Sequence, residues 1–328
     1  MNFKSKLLTF FSLLLLLIPI NVFAYSDYII LGGDNVGIEV SAKHVSVVGF
    51  YQVDNKYIAK DAGIRIGDKI LKIGDVEVHS IGEMANAINK SVSNDIVKLL
   101  VLRNNIESDI SLKLVKDSNN VYKTGIYVKD QVTGIGTLTY IDPGSNIFGA
   151  LGHEILDGST NEKLEIRSGK IFKSSITGAT KSTTSITGEK NAIFYSSEIF
   201  GKINENTISG IFGIYESKSN ETNLIKVGKS EDVELGKATI YTVLNGNKID
   251  NYEINILNIN EKMETKNILF EITDKRLIDK TNGVIKGMSG SPIVQNNMIV
   301  GAVTHAIVND SLKGYGIFIT TMLEEGEN

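Results

Sequence analysis

Apolar and polar residues alternate in short runs along most of the chain, and this period-two pattern predicts a protein built mainly of β-strands. In residues 27–116, Val36-Gly37-Ile38-Glu39-Val40 and Val45-Ser46-Val47-Val48-Gly49-Phe50 read as strands. Further strands are predicted over 69–73, 97–103 and 110–115. The period changes once within this stretch. Ser80-Ile81-Gly82-Glu83 forms a capping box, and Met84, Ala87 and Ile88 after it share one helical face. A helical turn at 59–62 is ended by Gly63. The mixture predicts a small α/β module.

Asp117-Ser118-Asn119-Asn120 is a polar break that reads as a linker. Beyond it, glycine-punctuated β runs recur at near-regular spacing: 125–128, 135–141, 164–167, 171–177, 192–195, 210–215, 238–243, 252–257, 268–272, 293–304 and 314–320. So many short strands predict a β-barrel or a pair of barrels over 117–328. Helices are expected only near 274–279 and in the C-terminal tail. Residues 1–26 read differently. Lys4 and Lys6 precede an apolar run over 7–18, and Val22-Phe23-Ala24 offers a small-residue cleavage site. The run is short for a spanning helix, so a cleaved export signal is expected, with an uncleaved membrane anchor as the alternative.

Composition narrows the chemistry. The 328 residues are 42% hydrophobic and 22% charged with a net charge of −4, which is ordinary for a globular protein and argues against nucleic acid as a partner. There is no cysteine, which excludes disulfides, thiolate metal sites and a cysteine nucleophile. The four histidines, 44, 79, 153 and 305, form no i,i+4 pair of the kind that holds zinc on a helix. No metal or cofactor is expected.

The stretch with the most chemical content is Gly287-Met288-Ser289-Gly290-Ser291-Pro292, followed by a hairpin to Gly301 that turns at Asn296-Asn297. Glycines on both sides let backbone N–H groups converge beside the serine hydroxyl, as an oxyanion requires. An ordinary Gly/Ser turn gives the same letters. A serine also needs a base, usually histidine. His153 stands among small residues in Phe148-Gly149-Ala150-Leu151-Gly152-His153, and His305 follows Gly301-Ala302-Val303-Thr304.

Three resemblances sharpen this. Lys60-Asp61-Ala62-Gly63-Ile64-Arg65-Ile66-Gly67-Asp68-Lys69-Ile70-Leu71-Lys72-Ile73-Gly74 looks like the centre of a bacterial PDZ domain, and Asn35-Val36-Gly37-Ile38 resembles its carboxylate-binding loop. The serine turn resembles Gly-Asp-Ser-Gly-Gly-Pro of chymotrypsin-like peptidases, with Met288 in place of the aspartate. Met288 cannot form the ion pair by which digestive members switch on. Gly125-Ile126-Tyr127-Val128-Lys129-Asp130, Gly134-Ile135-Gly136-Thr137-Leu138-Thr139, the His153 and Ser289 segments, and the tail from Gly301 to Gly314-Tyr315-Gly316 resemble the SpoIVB peptidases of endospore-forming bacteria.

That family implies a PDZ domain followed by a trypsin-like double β-barrel with a His–Asp–Ser triad. His153 and Ser289 carry over directly. Asp274 matches the family's aspartate position, with Asp157 and Asp279 as rivals and a helix N-cap as the bland alternative. The amides of Gly287 and Ser289 would form the oxyanion hole. Val303, Thr304, His305, Gly314 and Gly316 would line the substrate groove. The resemblance also implies export from the forespore into the space between its membranes, cleavage of the exposed segment of a membrane-bound sporulation regulator, and self-processing. The competing expectations are a catalytically silent PDZ tether, a general HtrA-like envelope protease, whose PDZ would follow the protease, and a structural spore-envelope protein.

Overall fold

The structure is a computed structural model that describes residues 25–218 and 223–327. The export signal expected over 1–26 lies outside the described residues except for its last two positions. Among the described residues no helix is long and apolar enough to cross a membrane.

The chain begins with β1 (Tyr28–Leu31) and β2 (Asn35–Phe50), a continuous strand of 16 residues. Then comes the small α/β module: α1 (Ile58–Asp61), β3 (Lys69–Ile73), β4 (Val76–Glu77), α2 (Ile81–Ser91), β5 (Ile96–Arg103) and β6 (Ile106–Lys113). A short ribbon of β7 (Val115–Lys116) and β8 (Tyr122–Lys123) leads to β9 (Ile126–Ile141), which returns antiparallel along nearly the whole of β2. The first half of β9 and the second half of β2 pair inside the module, and their other halves pair inside the first barrel.

Helix α2 forms where the capping signal predicts. Ser80 Oγ accepts the N–H of Glu83 at 3.1 Å, and Met84, Ala87 and Ile88 are buried. The Glu83 carboxylate takes the N–H of His79 rather than that of Ser80, so the expected reciprocal box is shifted by one residue.

The first barrel is completed by β10 (Ile147–Ala150), β11 (Ile166–Thr180), β12 (Glu189–Thr207) and β13 (Gly210–Tyr215). Its pairings close a ring in the order β9-β2-β11-β12-β13-β10. After β14 (Leu224–Val227), the second barrel follows: β15 (Gly236–Val243), β16 (Ile249–Ile259), β17 (Ile268–Ile272), α3 (Lys275–Thr281), β18 (Pro292–Gln295), β19 (Met298–Ala306) and β20 (Lys313–Phe318). Its ring runs β15-β16-β17-β20-β19-β18. Closure pairs each strand on both sides within its ring, while the outer part of the β11–β12 hairpin extends beyond the first ring. The chain is therefore mainly β, with the expected double barrel beside a small α/β module.

Each body has its own core. Val36, Ile38, Phe148, Ile171 and Ile211 fill the first barrel, Ile240, Ile254, Phe270 and Ile293 the second, and Val47, Ile70, Ile88 and Leu99 the module. A fourth cluster joins the barrels. Tyr140 and Phe212 pack on Ala302, Ile317 and the residues Met322 and Leu323 of the terminal helix α4 (Ile319–Gly326). Burying one such aliphatic or aromatic side chain is worth about 1.5–3 kcal/mol. β1 and β14 add a bridge, since β1 pairs with β9, and β14 pairs with both β1 and β19.

Three expectations are corrected here. Residues 36–40 and 45–50 are not two module strands but parts of one strand shared with the barrel. Val36, Gly37 and Ile38 are buried and paired on both sides, to β9 and to β11, and Asn35 is buried and paired to β9, so the stretch is strand and not an open loop of free N–H groups for a carboxylate. The boundaries at 26/27 and 116/117 likewise do not separate two sequential bodies. The module is inserted between two strands of the first barrel, and Ser26 is itself tied to that barrel through Asp142, with Oγ to Oδ1 at 2.8 Å.

Candidate active site

His153 is delivered by a bend at the end of β10. Leu151 (φ 71°) and Gly152 (φ 69°) both adopt left-handed backbone, a conformation costly for leucine. Gly152 is needed for a second reason. A methyl group there would sit 2.9 Å from Thr304 Cγ2 of β19, so the bend presses against the second barrel. His153 Nδ1 lies 2.7 Å from the carbonyl of Glu154. A carbonyl can only accept, so Nδ1 carries the proton and Nε2 keeps its lone pair. Desolvation by burial lowers the pKa of His153, and Lys266 adds to the lowering, which keeps the ring neutral. The ring of His305 lies 5.0 Å away. Burial, His153 and Lys266 push the His305 pKa down to about 4.

Ser289 sits between α3 and β18, in a turn where Gly287 and Gly290 both have φ of 90°. A methyl group on Gly290 would lie 2.0 Å from the carbonyl oxygen of Thr137, so this glycine is sterically required. Met288, in the place of the chymotrypsin-type aspartate, is fully buried in the second barrel's core. The turn is held from both barrels. Thr137 of β9 donates its N–H to Ser289 O (2.9 Å) and its hydroxyl to Gly287 O (2.8 Å). The Thr139 hydroxyl donates to Gly290 O (2.8 Å), while Gly290 N–H reaches Val303 O of β19 (2.7 Å). Among the described residues, the N–H groups of Gly287 and Ser289 have no acceptor within the chain.

Ser289, Gly287, His153 and His305 meet in one open cleft of about 980 Å³, walled by Ile38, Val132, Ile135, Leu151, Ile155 and Leu156. Most of its wall is apolar. The Ser289 hydroxyl donates to the carbonyl of Thr304 at 2.8 Å, and no hydrogen bond joins Ser289 to His153.

The aspartate and most of the groove expectations are corrected. Asp274 is the N-cap of α3: Oδ1 accepts the N–H of Arg276 at 2.8 Å, Oδ2 pairs with the Arg276 guanidinium at 2.6 Å, and Oδ2 also takes the N–H of Glu253. It makes no bond to His153. Asp279 pairs with Lys275, and Asp157 closes a turn by accepting from Ser159 and Thr160. The nitrogen that a triad aspartate would engage is occupied by the Glu154 carbonyl. Val303, Thr304, Gly314 and Gly316 are buried strand positions, of which Val303 and Thr304 hold the turn through their backbone, and of the expected groove residues only His305 lines the cleft.

Thr137, Thr139 and Lys190 are the site-supporting residues that the sequence reading missed. The two threonines sit two apart within an otherwise apolar buried strand, and that pattern is the signal that could have marked them. In the module, an apolar groove of about 590 Å³ runs between α2 and the β8–β9 segment, lined by Ile81, Met84, Ile88, Tyr122 and Val128.

The family profile described as SpoIVB peptidase S55 matches residues 120–323, and that of the PDZ domain matches 35–114. The PDZ match thus begins in the strand that the module shares with the first barrel. No curated protein matches the sequence. Among solved structures, the chain is similar to two of Rv3671c from M. tuberculosis H37Rv. One is an inactive serine-to-alanine mutant, at 12% identity and TM-score 0.29, covering 57% of this chain and 77% of that one. The other is an inactive form of the protease at 12% identity and TM-score 0.27, covering 57% and 80%.

Proposed function

The chain belongs to the SpoIVB peptidase S55 family, a serine peptidase carrying a PDZ domain, and from that premise we propose that Ser289 is its nucleophile and His153 its general base. The observation that carries this reading is the pair of unpartnered amides, Gly287 and Ser289, beside a serine that shares its cleft with a neutral histidine. In the proposed step, the Ser289 hydroxyl leaves Thr304 O and turns to Nε2 of His153. The base takes the proton as Oγ attacks the substrate carbonyl. The carbonyl oxygen becomes an oxyanion held by the two amides. Collapse expels the amine, which receives the proton from His153, and water hydrolyses the acyl-enzyme by the same route. The Glu154 carbonyl takes the orienting part of a triad carboxylate, holding Nδ1–H and favouring the imidazolium as it forms.

The apolar cleft suits a peptide with aliphatic or aromatic side chains near the cut. In the fuller reading the protein is exported into the space between the forespore membranes. There it cuts a membrane-bound sporulation regulator and processes itself, with the PDZ groove beside α2 docking peptide termini. Self-processing is expected upstream of Tyr28, since a cut at the start of the PDZ match would fall in a doubly paired strand.

Labelling with a fluorophosphonate tests the site independently of the natural substrate. Wild type should be labelled. Ser289→Ala should remain folded, take no label and lose roughly 10⁴-fold or more in peptide hydrolysis, and His153→Ala should fall comparably. A labelled Ser289→Ala protein would refute the assignment.

A further inference from the structure

Oxyanion donors on a loop with two glycines must be locked, because a flipped peptide plane would turn an N–H away from the cleft. With Met288 buried and apolar, no ion pair next to Ser289 can supply the lock. The first barrel offers a different device at the start of β12. The main-chain N–H of Lys190 donates to Lys286 O at 3.0 Å, and Lys286 N–H donates to Gly188 O at 2.8 Å. The 286–287 peptide is trans, so fixing its carbonyl toward β12 turns the Gly287 N–H to the opposite side.

The Lys190 side chain completes the contact. Its stem lies directly under Gly287: a methyl group there would be 3.0 Å from Lys190 Cδ and 3.2 Å from Cβ and Cγ. The residue is only 4% exposed, and among the described residues its amine has no carboxylate partner. It reaches Thr242 Oγ1 at 2.8 Å and Thr137 Oγ1 at 3.4 Å. Thr137 Oγ1 is the hydroxyl that donates to Gly287 O. Both peptide planes flanking Gly287 are thus tied to Lys190, one by its main chain and one through Thr137. A buried ammonium held only by hydroxyls is costly, and burial pulls its pKa down to about 7.

We propose that Lys190 is the positioning residue that locks the oxyanion loop of this peptidase, its stem and amine holding Gly287 with the N–H aimed into the cleft. The inference rests on the reading of Ser289 as nucleophile. A lock of this kind acts on the charged transition state more than on substrate binding, which sets the readout.

The test uses an apolar peptide substrate, a peptide boronate as transition-state analogue and the fluorophosphonate label. Lys190→Met keeps a stem and removes the amine, and Lys190→Ala removes both. We expect kcat to fall roughly 10-fold in the first and roughly 100-fold in the second, with KM within about 2-fold and boronate affinity falling in step with kcat. Thr242→Val, which removes the amine's nearer partner, should lower kcat in the same direction by a smaller factor. If Lys190→Ala does not fold, Lys190→Met decides. A folded Lys190→Met protein with wild-type kcat and boronate affinity overturns the proposal, as does a change confined to KM. An unlabelled wild type refutes the Ser289 reading itself; a labelled wild type with Lys190 variants labelled at its rate refutes only the lysine.

Discussion

The two barrels are built from the same ring of six antiparallel strands but assembled differently. The second is contiguous: its strands follow one another from Gly236 to Phe318, and mostly neighbours in sequence are neighbours in the ring. The first is interrupted. β2 and β9, adjacent in the wall, are separated by the entire PDZ module. The serine turn belongs to the contiguous barrel, yet the hydroxyls and N–H that hold its carbonyls come from β9 of the interrupted one. His153 also comes from the interrupted barrel. The site is therefore a seam, and neither barrel alone holds it.

The largest effect is expected from cutting the chain between the two matched segments. A chain starting at residue 117 loses β1 and β2, leaves the first barrel open along β9 and β11, and should fail to fold. Excising residues 42–130 and joining Ser41 to Gln131 through an Asn-Gly turn should instead preserve both rings, because those two residues already face each other in register. Circular dichroism and fluorophosphonate labelling of both shortened proteins separate the outcomes: a folded, labelled chain from 117, or an unfolded excision product, would contradict the inserted-module architecture.

A smaller break acts at the seam. Gly290→Ala drives a methyl group into Thr137 O and strains a φ of 90°, so it should cost at least about 3 kcal/mol and abolish labelling, measured by thermal melts and gel fluorescence.

Acidification sharpens the comparison without mutation, since the two facing histidines come from different barrels. Both have folded pKa values below the ordinary 6.5, that of His305 at about 4. The folded state therefore binds fewer protons than the unfolded one in this window. Stability fully present above pH 6.5 should decline as pH falls toward 4, and hydrolysis should fall with an acid limb below 6.5 as His153 protonates. Urea titrations and kcat/KM profiles measure these separately, and stability that rises on acidification through this range would contradict the neutral-histidine seam.

The smallest expected effect concerns a residue lying wholly within the second barrel. Asp274→Asn keeps a competent N-cap and loses an ion pair to a largely exposed arginine, so it should cost roughly 1 kcal/mol or less and leave kcat within about 2-fold. A loss of activity comparable to Ser289→Ala would restore Asp274 to the mechanism.

Much of this was legible in the letters because it is local. Asn296 and Asn297 adopt φ of 51° and 59°, the conformation a two-residue hairpin demands. The face of α2, the Gly287 and Gly290 turn, and the recurrence of short strands also follow from nearest neighbours and period. Asp274 shows the limit of sequence position: a spacing that matches a triad member also matches an N-cap, and only the partners of its oxygens distinguish the two. Asn35-Val36-Gly37-Ile38 shows the same limit, since a glycine in an apolar run suits a loop or a doubly paired strand. Lys190 gave no sequence signal at all, because an isolated lysine reads as surface until its burial is known.

The β-rich class, the small module and the glycine-flanked serine turn could be read from the letters, because strand period, turn chemistry and glycine placement are written over a few residues. Tertiary structure alone decided that the module sits inside the first barrel and that the serine turn is clamped from across the seam. It also decided that a carbonyl, not a carboxylate, holds His153. Those outcomes depend on which distant strands pair and on where buried polar groups find partners, and contacts between residues more than a hundred positions apart leave no period in the chain to read.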